Sequence, residues 1–372
     1  MKKPTPNSQL PTPKVAIIHD WLVGGGAERV VMALHEMYPT APIYTAYCND
    51  SSRKAFGRAD IRTSYMQNFP FSAIRKFLPV LRQLWFEHLD LRGYDLVISS
   101  SGAEAKGIKR LKPGAKHVNY CHSPTHYYWV RYDEYLKNPG FGKLLDPLAR
   151  IGLKLFVGIN RRWDYKAAQH PDVIIANSTC VQERIKKYYG RDSIVIHPPV
   201  DTKRFALNTK LRKGFVVAGR QTPYKRIDLA VSACTLANLP LKVIGNGPDH
   251  DKLVAMAGPT VEFLTSVTDA EMPTYFGEAK AFIMANEDDF GIVPVEALAT
   301  GTPVVAFKAG GALDYINESS GLFFTHQGSQ VLSETLKKAS RHPWKPQVIS
   351  KYAQKFSVEE FKKAIKTTLK NS

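Results

Sequence analysis

The chain has 372 residues and a mass of 41.6 kDa, room for two packing units of the usual ~100–200 residues. Hydrophobic residues make up 44% and charged residues 23%, which excludes a mostly disordered chain; 25 Gly and 24 Pro without a triplet period exclude a collagen-like one. Lys and Arg outnumber Asp and Glu by 51 to 33, a net charge of +18 that favours an anionic partner: nucleic acid, an anionic membrane face or a phosphorylated ligand.

Residues 1–13 are rich in Pro, Thr, Asn and Ser and read as a loose tail. Two lysines open it, but no apolar core follows, so it does not read as a secretion signal. No run approaches the ~18 apolar residues of a membrane span. Cys48, Cys121, Cys180 and Cys234 are scattered, with no CxxC pair, as in a reduced compartment. The expected location is cytoplasmic.

From Lys14 onward, short apolar runs alternate with helical stretches. Val15–Ile18 reads as a buried strand, followed by Gly24-Gly25-Gly26 and a helix over about Ala27–Met37. Further strands are expected at Asp95–Ser99, His117–Cys121, Asp172–Asn177 and Ser193–His197, before Pro198-Pro199 ends regular structure. A second series follows: Phe215–Ala218, Leu241–Ile244, Val261–Leu264, Ala281–Ala285, Pro303–Phe307 and Leu322–Phe324. Helical patterns lie between them, such as Ile227–Leu236 and Pro294–Ala299. Such alternation predicts an α/β protein of two doubly wound parallel sheets, each covered on both faces. The expected divisions are a first domain over 14–200, a second over 201–345 and a helical segment over 346–372. Its last helix, Val358–Leu369, has apolar Phe361, Ile365 and Leu369 at helical spacing and is expected to pack back on the first domain. Ligands of such sheets bind beyond the strand C-termini, so the cleft between two sheets is the default site.

Six stretches stand at such strand ends. Gly24-Gly25-Gly26 permits close approach to a phosphate or sugar, or is merely a turn. His122, in Cys121-His122-Ser123-Pro124, is placed to donate to a substrate oxygen or stabilise charge; a hydrogen-bonded loop histidine is the alternative, and the better one for His126. Arg220 and Lys225 flank a proline turn directly after the first strand of the second series and read as a diphosphate clamp. Glu287-Asp288-Asp289 forms an acidic loop after the strand that ends at Ala285 and before a helix starting near Ile292; the loop offers acceptors for sugar hydroxyls and N–H groups for an anion. Glu296, one turn into that helix, is placed to grip a ribose. Gly245-Asn246-Gly247 and Gly310-Gly311 are either turns or further points of close approach. No HExxH, carboxylate box or Cys/His cluster indicates a metal.

Between Arg53 and Lys116, 13 basic residues face 5 acidic ones, and Ile74, Phe77, Leu78, Leu81, Leu84, Trp85 and Leu89 recur at helical spacing. This stripe either lies on an anionic bilayer or packs into the first domain's core.

Taken together, GGGAERVV, ANSTCVQERI at 176–185, HPPVD at 197–201, GRQTPYKRIDLAV at 219–231 and DDFGIVPVEALATGTPVVA at 288–306 resemble glycosyltransferase family 4, the retaining sugar-nucleotide transferases of GT-B fold. Within it the chain looks most like bacterial mannosyltransferases of surface polysaccharide or lipid-linked oligosaccharide assembly. The resemblance implies that Arg220 and Lys225 clamp the donor phosphates, Glu296 binds the ribose and Asp288 holds the transferred sugar. It places Phe290, Gly291 and Ile292 over sugar and diphosphate, matches His122 to the active-site histidine, and sets Gly25 and Gly26 near the phosphates and the acceptor. The family's usual glutamate slot is Asp288 here, with Glu287 beside it, so either carboxylate is a candidate for the sugar contact. The implied reaction is metal-independent, with no cofactor beyond the substrate: a hexose, first of all mannose from GDP-mannose, passes to a saccharide or lipid-linked saccharide, at the inner membrane face where the acceptor is lipid-linked. Three rivals remain: a sugar-nucleotide-binding protein with impaired catalysis, a GT-B enzyme such as an epimerase, and a basic nucleic-acid binder. The last lacks a legible reading module, and no nucleic acid is expected.

Overall fold

The computed structural model describes residues 13–75, 78–137, 139, 142 and 144–371. Two compact units are present, one holding residues up to 175 together with 184–194, the other 176–183 together with 195–371. No described helix is long and apolar enough to cross a membrane.

The first sheet has seven strands: β1 (Val15–Leu22), β2 (Ile43–Cys48), β3 (Ile61–Thr63), β4 (Leu96–Ser101), β5 (Lys116–Cys121), β6 (Val173–Ala176) and β7 (Ile194–Val195). Their order is β3-β2-β1-β4-β5-β6-β7. The central strand pairs in parallel on both sides, Ile17 opposite Ile43 and Ile98. Seven helices accompany these strands: α1 (Gly26–Met37), α2 (Asp50–Ala55), α3 (Phe71–Ile74), α4 (Pro79–His88), α5 (Tyr132–Lys137), α6 (Asp146–Ala167) and α7 (Thr179–Tyr189). The apolar run of β1 is covered on both faces, so its side chains are buried almost without alternation.

A second sheet has six strands: β8 (Phe215–Ala218), β9 (Leu241–Ile244), β10 (Val261–Leu264), β11 (Ala281–Met284), β12 (Val304–Phe307) and β13 (Gly321–Phe324), ordered β10-β9-β8-β11-β12-β13. Its helices are α8 (Ile227–Ala237), α9 (His250–Ala255), α10 (Met272–Gly277), α11 (Ile292–Ala299), α12 (Ala312–Tyr315), α13 (Ser329–Arg341), α14 (Pro346–Ala353) and α15 (Val358–Asn371). Alternate strand residues feed two cores. Phe215 and Val217 join α8 and α13 on one face, while Val216 joins α11 and α14 on the other. The expected two parallel, doubly wound sheets are therefore present.

In both sheets the strand order reverses beside a central strand, between β1 and β4 and between β8 and β11. Loops leaving neighbouring strands at that point run to opposite faces and open a crevice at the strand ends. The glycine turn follows β1. The Arg220–Lys225 turn follows β8, and the acidic loop follows β11.

The apolar stripe of residues 74–89 divides. Phe86 is buried, and Trp85 and Leu89 pack against the core formed by Ala16, Ile18 and Val97. Ile74 and Leu84 are exposed. Phe77 lies outside the described residues.

Candidate active site

In the second unit, the turn after β8 is built by its neighbours. Gln221 is fully buried; its side-chain amide donates to the Gly245 carbonyl at 2.7 Å, and its Oε1 pairs with His250 Nδ1 at 2.8 Å. Gly245 and Gly247 are glycines because a Cβ would lie 2.4 Å from the Gly219 carbonyl or 2.3 Å from the Gln221 carbonyl. These two glycines thus serve the packing of one loop on the other. A 3-10 turn over Pro223–Lys225 follows, and Arg226 takes a left-handed φ of 51° before α8 begins. Arg220 is exposed on this turn.

Lys225 reaches across the strand ends to the acidic loop: its Nζ lies 2.5 Å from Asp288 Oδ2. Of the two candidate carboxylates, Asp288 therefore carries this ion pair, and Glu287 is exposed beside it. Gly310 and Gly311 brace the same loop. The Gly311 N–H donates to the Asp288 carbonyl at 2.9 Å, and a Cβ on Gly311 would meet Phe290 Cα at 2.3 Å. Gly291, at φ +83°, caps α11, and Ile292 is its first residue.

Glu296 is buried to 2% exposure within α11, and Arg204 Nη2 lies 3.5 Å from its Oε1. An anionic carboxylate in so dry a place requires such a partner. Lys225 and Asp288 are thus in contact beyond neighbouring strands of one sheet, Arg220 stands on the same turn as Lys225, and Glu296 lies in the helix that follows the acidic loop.

Residues the sequence did not single out hold this loop in place. Ser178 Oγ donates to the Asp289 carbonyl at 2.5 Å, and the Thr179 N–H donates to Asp314 at 2.8 Å. His197 Nε2 is 3.1 Å from the same Asp314 carboxylate, and its ring stacks on Phe290 at 5.3 Å. Burial works against ionisation of Asp314, but the hydrogen bonds from His197 and from Thr179 outweigh it and hold the carboxyl below its ordinary value. Ser178, His197 and Phe290 all lie in the motifs read above; the contacts of Ser178 with Asp289 and of His197 with Phe290 were hidden because they join residues more than ninety positions apart.

In the first unit, Glu28 is buried and accepts from the N–H groups of Val23 and Gly24 at 2.6 and 2.5 Å, holding the glycine turn from behind. Gly24, Gly25 and Gly26 are exposed, and a Cβ at Gly24 or Gly25 would meet open space. His122 Nε2 is 2.7 Å from Ser100 Oγ, and its ring meets that of His19 edge-on at 6.2 Å. His19 Nδ1 is in turn 2.7 Å from the Ser100 carbonyl. Asp20 accepts from the N–H groups of Gly102, Ala103 and Ala105 at 2.7–3.0 Å, fixing the loop after β4. His122 thus has a fixed ring, half-buried at a strand end. Among the described residues, no group of three or more His, Cys, Asp and Glu side chains is arranged to hold a metal ion.

Two family models match the chain: Glycosyltransferase Family 4 over residues 24–204, and Glycosyl transferases group 1 over residues 199–356. Among similar proteins, a GDP-mannose-dependent alpha-(1-6)-phosphatidylinositol monomannoside mannosyltransferase of Mycolicibacterium smegmatis is 28% identical over 173 residues, 38% of this chain and 45% of that protein. The human GDP-Man:Man(3)GlcNAc(2)-PP-Dol alpha-1,2-mannosyltransferase is 26% identical over 368 residues, 80% of this chain and 73% of that one. The match thus spans less than half the length of the mycobacterial relative. Among solved structures, Anabaena HepE in complex with UDP superposes with a TM-score of 0.71 at 19% identity, over 96% of this chain and 100% of that one. Sucrose-phosphate synthase from Thermosynechococcus elongatus gives 0.67 at 15% identity, over 97% and 99%. At such identities the superpositions speak to the fold.

Proposed function

Starting from a chain that belongs to the group 1 and family 4 glycosyltransferases of GT-B fold, we propose that it moves a hexose from a nucleoside-diphosphate sugar to a saccharide or lipid-linked saccharide, with retention of configuration. The proposed sugar is mannose and the proposed donor GDP-mannose; the mannosyltransferase relatives support this choice. The carrying observation is the 2.5 Å pair of Lys225 and Asp288, which joins a cationic turn and an acidic loop at the second sheet's switch point. A sugar diphosphate needs that combination: cations for the phosphates, acceptors for the hydroxyls.

In the proposed reaction the bond from the anomeric carbon to the diphosphate breaks while one to the acceptor oxygen forms on the same face. Charge grows on the leaving diphosphate, where Arg220, Lys225 and the N–H groups of Gly291 and Ile292 stabilise it. The departing phosphate oxygen takes the acceptor's proton. Asp288 holds the sugar hydroxyls, Glu287 lies beside it, and Phe290 fixes the loop. Glu296 anchors the ribose and moves no proton. His122 supports positive charge at the anomeric carbon, and Gly25 and Gly26 leave room for phosphate and acceptor. Residues 14–200 take the acceptor and residues 201–345 the donor; the segment expected to pack on the first domain belongs instead to the second unit, with Ile349, Ala353 and Phe356 in its core.

A thermal-shift screen of GDP, UDP and ADP sugars, followed by transfer of radiolabelled hexose to lipid-linked saccharides, tests the reading. GDP-mannose should raise the melting temperature most and label the lipid fraction. Stabilisation without transfer to any acceptor would leave the protein a sugar-nucleotide binder.

A further inference from the structure

Helix α6 is bonded near both ends: close to its start, Arg150 donates through Nε and Nη2 to the Leu136 and Lys137 carbonyls of α5 at 2.9 and 2.8 Å. In its C-terminal half, the fully buried Asp164 accepts from Trp129 Nε1 and Tyr189 OH at 2.8 and 2.7 Å and pairs with the buried Lys106 at 2.6 Å. One turn earlier, Asn160 Oδ1 accepts from Gln83 of α4 at 3.1 Å. From its start to just past its middle the helix turns apolar side chains outward: Leu148 is 66% exposed, Leu155 69% and Ile159 64%, with Ile151 and Phe156 exposed as well. Val80 and Leu84 are also exposed on α4, the helix that Gln83–Asn160 and the 2.6 Å bond from Trp163 to Glu87 fix beside α6. So many large apolar groups on neighbouring helices exceed the scattered exposure normal for a surface.

At about 100° per residue, Leu148, Ile151, Leu155 and Ile159 lie within about 40° of one line along the helix. That line continues through Arg162 and Lys166, both exposed. No acidic residue occurs between Pro147 and Trp163. The stripe therefore runs from apolar to cationic along a single face, with exposed Tyr165 beside the cations. Apolar groups that enter an acyl boundary while lysine and arginine meet the phosphates have this arrangement. A second protein copy would have no use for the cations unless it supplied acids, and the chain as a whole is strongly basic.

We propose that the Leu148–Ile159 face of α6, with Val80 and Leu84 of α4, docks the protein on an anionic phospholipid bilayer. Arg162 and Lys166 contact the headgroups. This moves the membrane face from the residue 74–89 stripe, whose Trp85, Phe86 and Leu89 are taken up by the core, to a helix the sequence did not single out. The proposal rests on the proposed function only in that a lipid-linked acceptor would give docking a purpose; binding is measured without donor or acceptor.

The experiment is flotation of the full chain with vesicles of phosphatidylcholine alone or with about 30% phosphatidylglycerol, at about 0.15 M salt, where exposed charges more than ~8 Å apart are screened. The wild type should float with the anionic vesicles and mostly not with the neutral ones. The triple variant Ile151→Gln, Leu155→Gln, Ile159→Gln should lose at least tenfold in partitioning, and Arg162→Glu with Lys166→Glu should lose as much. Far-UV circular dichroism and the thermal shift given by nucleotide sugar should stay unchanged in both. Should the triple variant misfold, an environment-sensitive dye on Leu155→Cys replaces it, with a blue shift expected on anionic vesicles. A wild type that stays off anionic vesicles, a triple variant that binds as well, or a dye that does not shift overturns the proposal. So does a dimer in solution that the triple variant dissociates, which would assign the stripe to a second copy. Loss of hexose transfer with docking intact would count against the proposed function alone.

Discussion

Without donor, the Lys225 ammonium is neutralised by Asp288, so an incoming diphosphate must compete with a carboxylate 2.5 Å away. Replacing Asp288 by Asn removes the competitor together with the proposed sugar contact. We predict that Asp288→Asn keeps or tightens GDP binding by calorimetry while turnover falls at least tenfold. Weaker nucleotide binding with unchanged turnover would contradict this. Arg220 is exposed and takes no part in a core, so Arg220→Ala should leave the melting temperature in place. Removing one preorganised charge from a developing anion costs roughly 10²–10³ in turnover, about 2.7–4 kcal/mol, and that is the loss expected. The placement of both residues directly after apolar strands was legible in the sequence, and charges there have few structural uses. Arg204 was not: its carboxylate neighbours, Glu296 at 3.5 Å and Asp269 at 3.6 Å, stand more than sixty positions away in the sequence.

At the scale of elements, the acidic loop is held from behind. Gly311 packs against Phe290 so closely that a methyl group would stand 2.3 Å from its Cα, and the loop must shift to admit one. Gly311→Ala should therefore lower donor affinity at least tenfold in a nucleotide titration. Unaltered affinity would show that the loop's exact placement does not matter. Asp314 supports the same loop through Thr179 and His197. Its carboxyl is held below the ordinary value, so the stabilisation is present above the unfolded carboxylate's pKa of about 3.9 and is lost as pH falls through the folded one. In urea titrations Asp314→Asn should lie below wild type at pH 6, and the gap should close on acidification toward pH 3. A gap constant across that range would rule this role out. The second sheet's strands were readable almost to the residue, since Phe215–Ala218, Leu241–Ile244 and Val261–Leu264 are short apolar runs between turn residues. β2 and β3 escaped: Ile43–Cys48 mixes Tyr and Thr into its apolar pattern, and Ile61–Thr63 is a three-residue edge strand. Side-chain burial there is decided by tertiary packing and not by the local run.

Across the whole molecule, the same doubly wound plan is built twice. The first unit carries a buried, bidentate pair: Arg82 Nε and Nη2 lie 3.0 and 2.9 Å from the two Glu104 oxygens, and Tyr127 OH donates to Glu104 at 2.5 Å. Truncating Glu104 to Ala strands a buried guanidinium and should cost about 3–5 kcal/mol in a urea titration; a cost below about 1 kcal/mol would mean that water reaches the site. Nothing in the sequence marked this pair, because ion pairing between distant charges follows from the fold. What the sequence did expose was the recurrence of chemistry at strand ends, since the switch-point rule turns a strand order into a place to look. We propose that Arg220 and Lys225 recognise the second phosphate of the donor nucleotide. It is tested most directly by calorimetric titration of GDP and GMP, with UDP and UMP in parallel, into wild type and the Arg220→Ala, Lys225→Ala double variant. Wild type should prefer the diphosphate of the favoured base by at least tenfold, and the variant should bind both forms about equally. A variant that still discriminates as wild type does would contradict it.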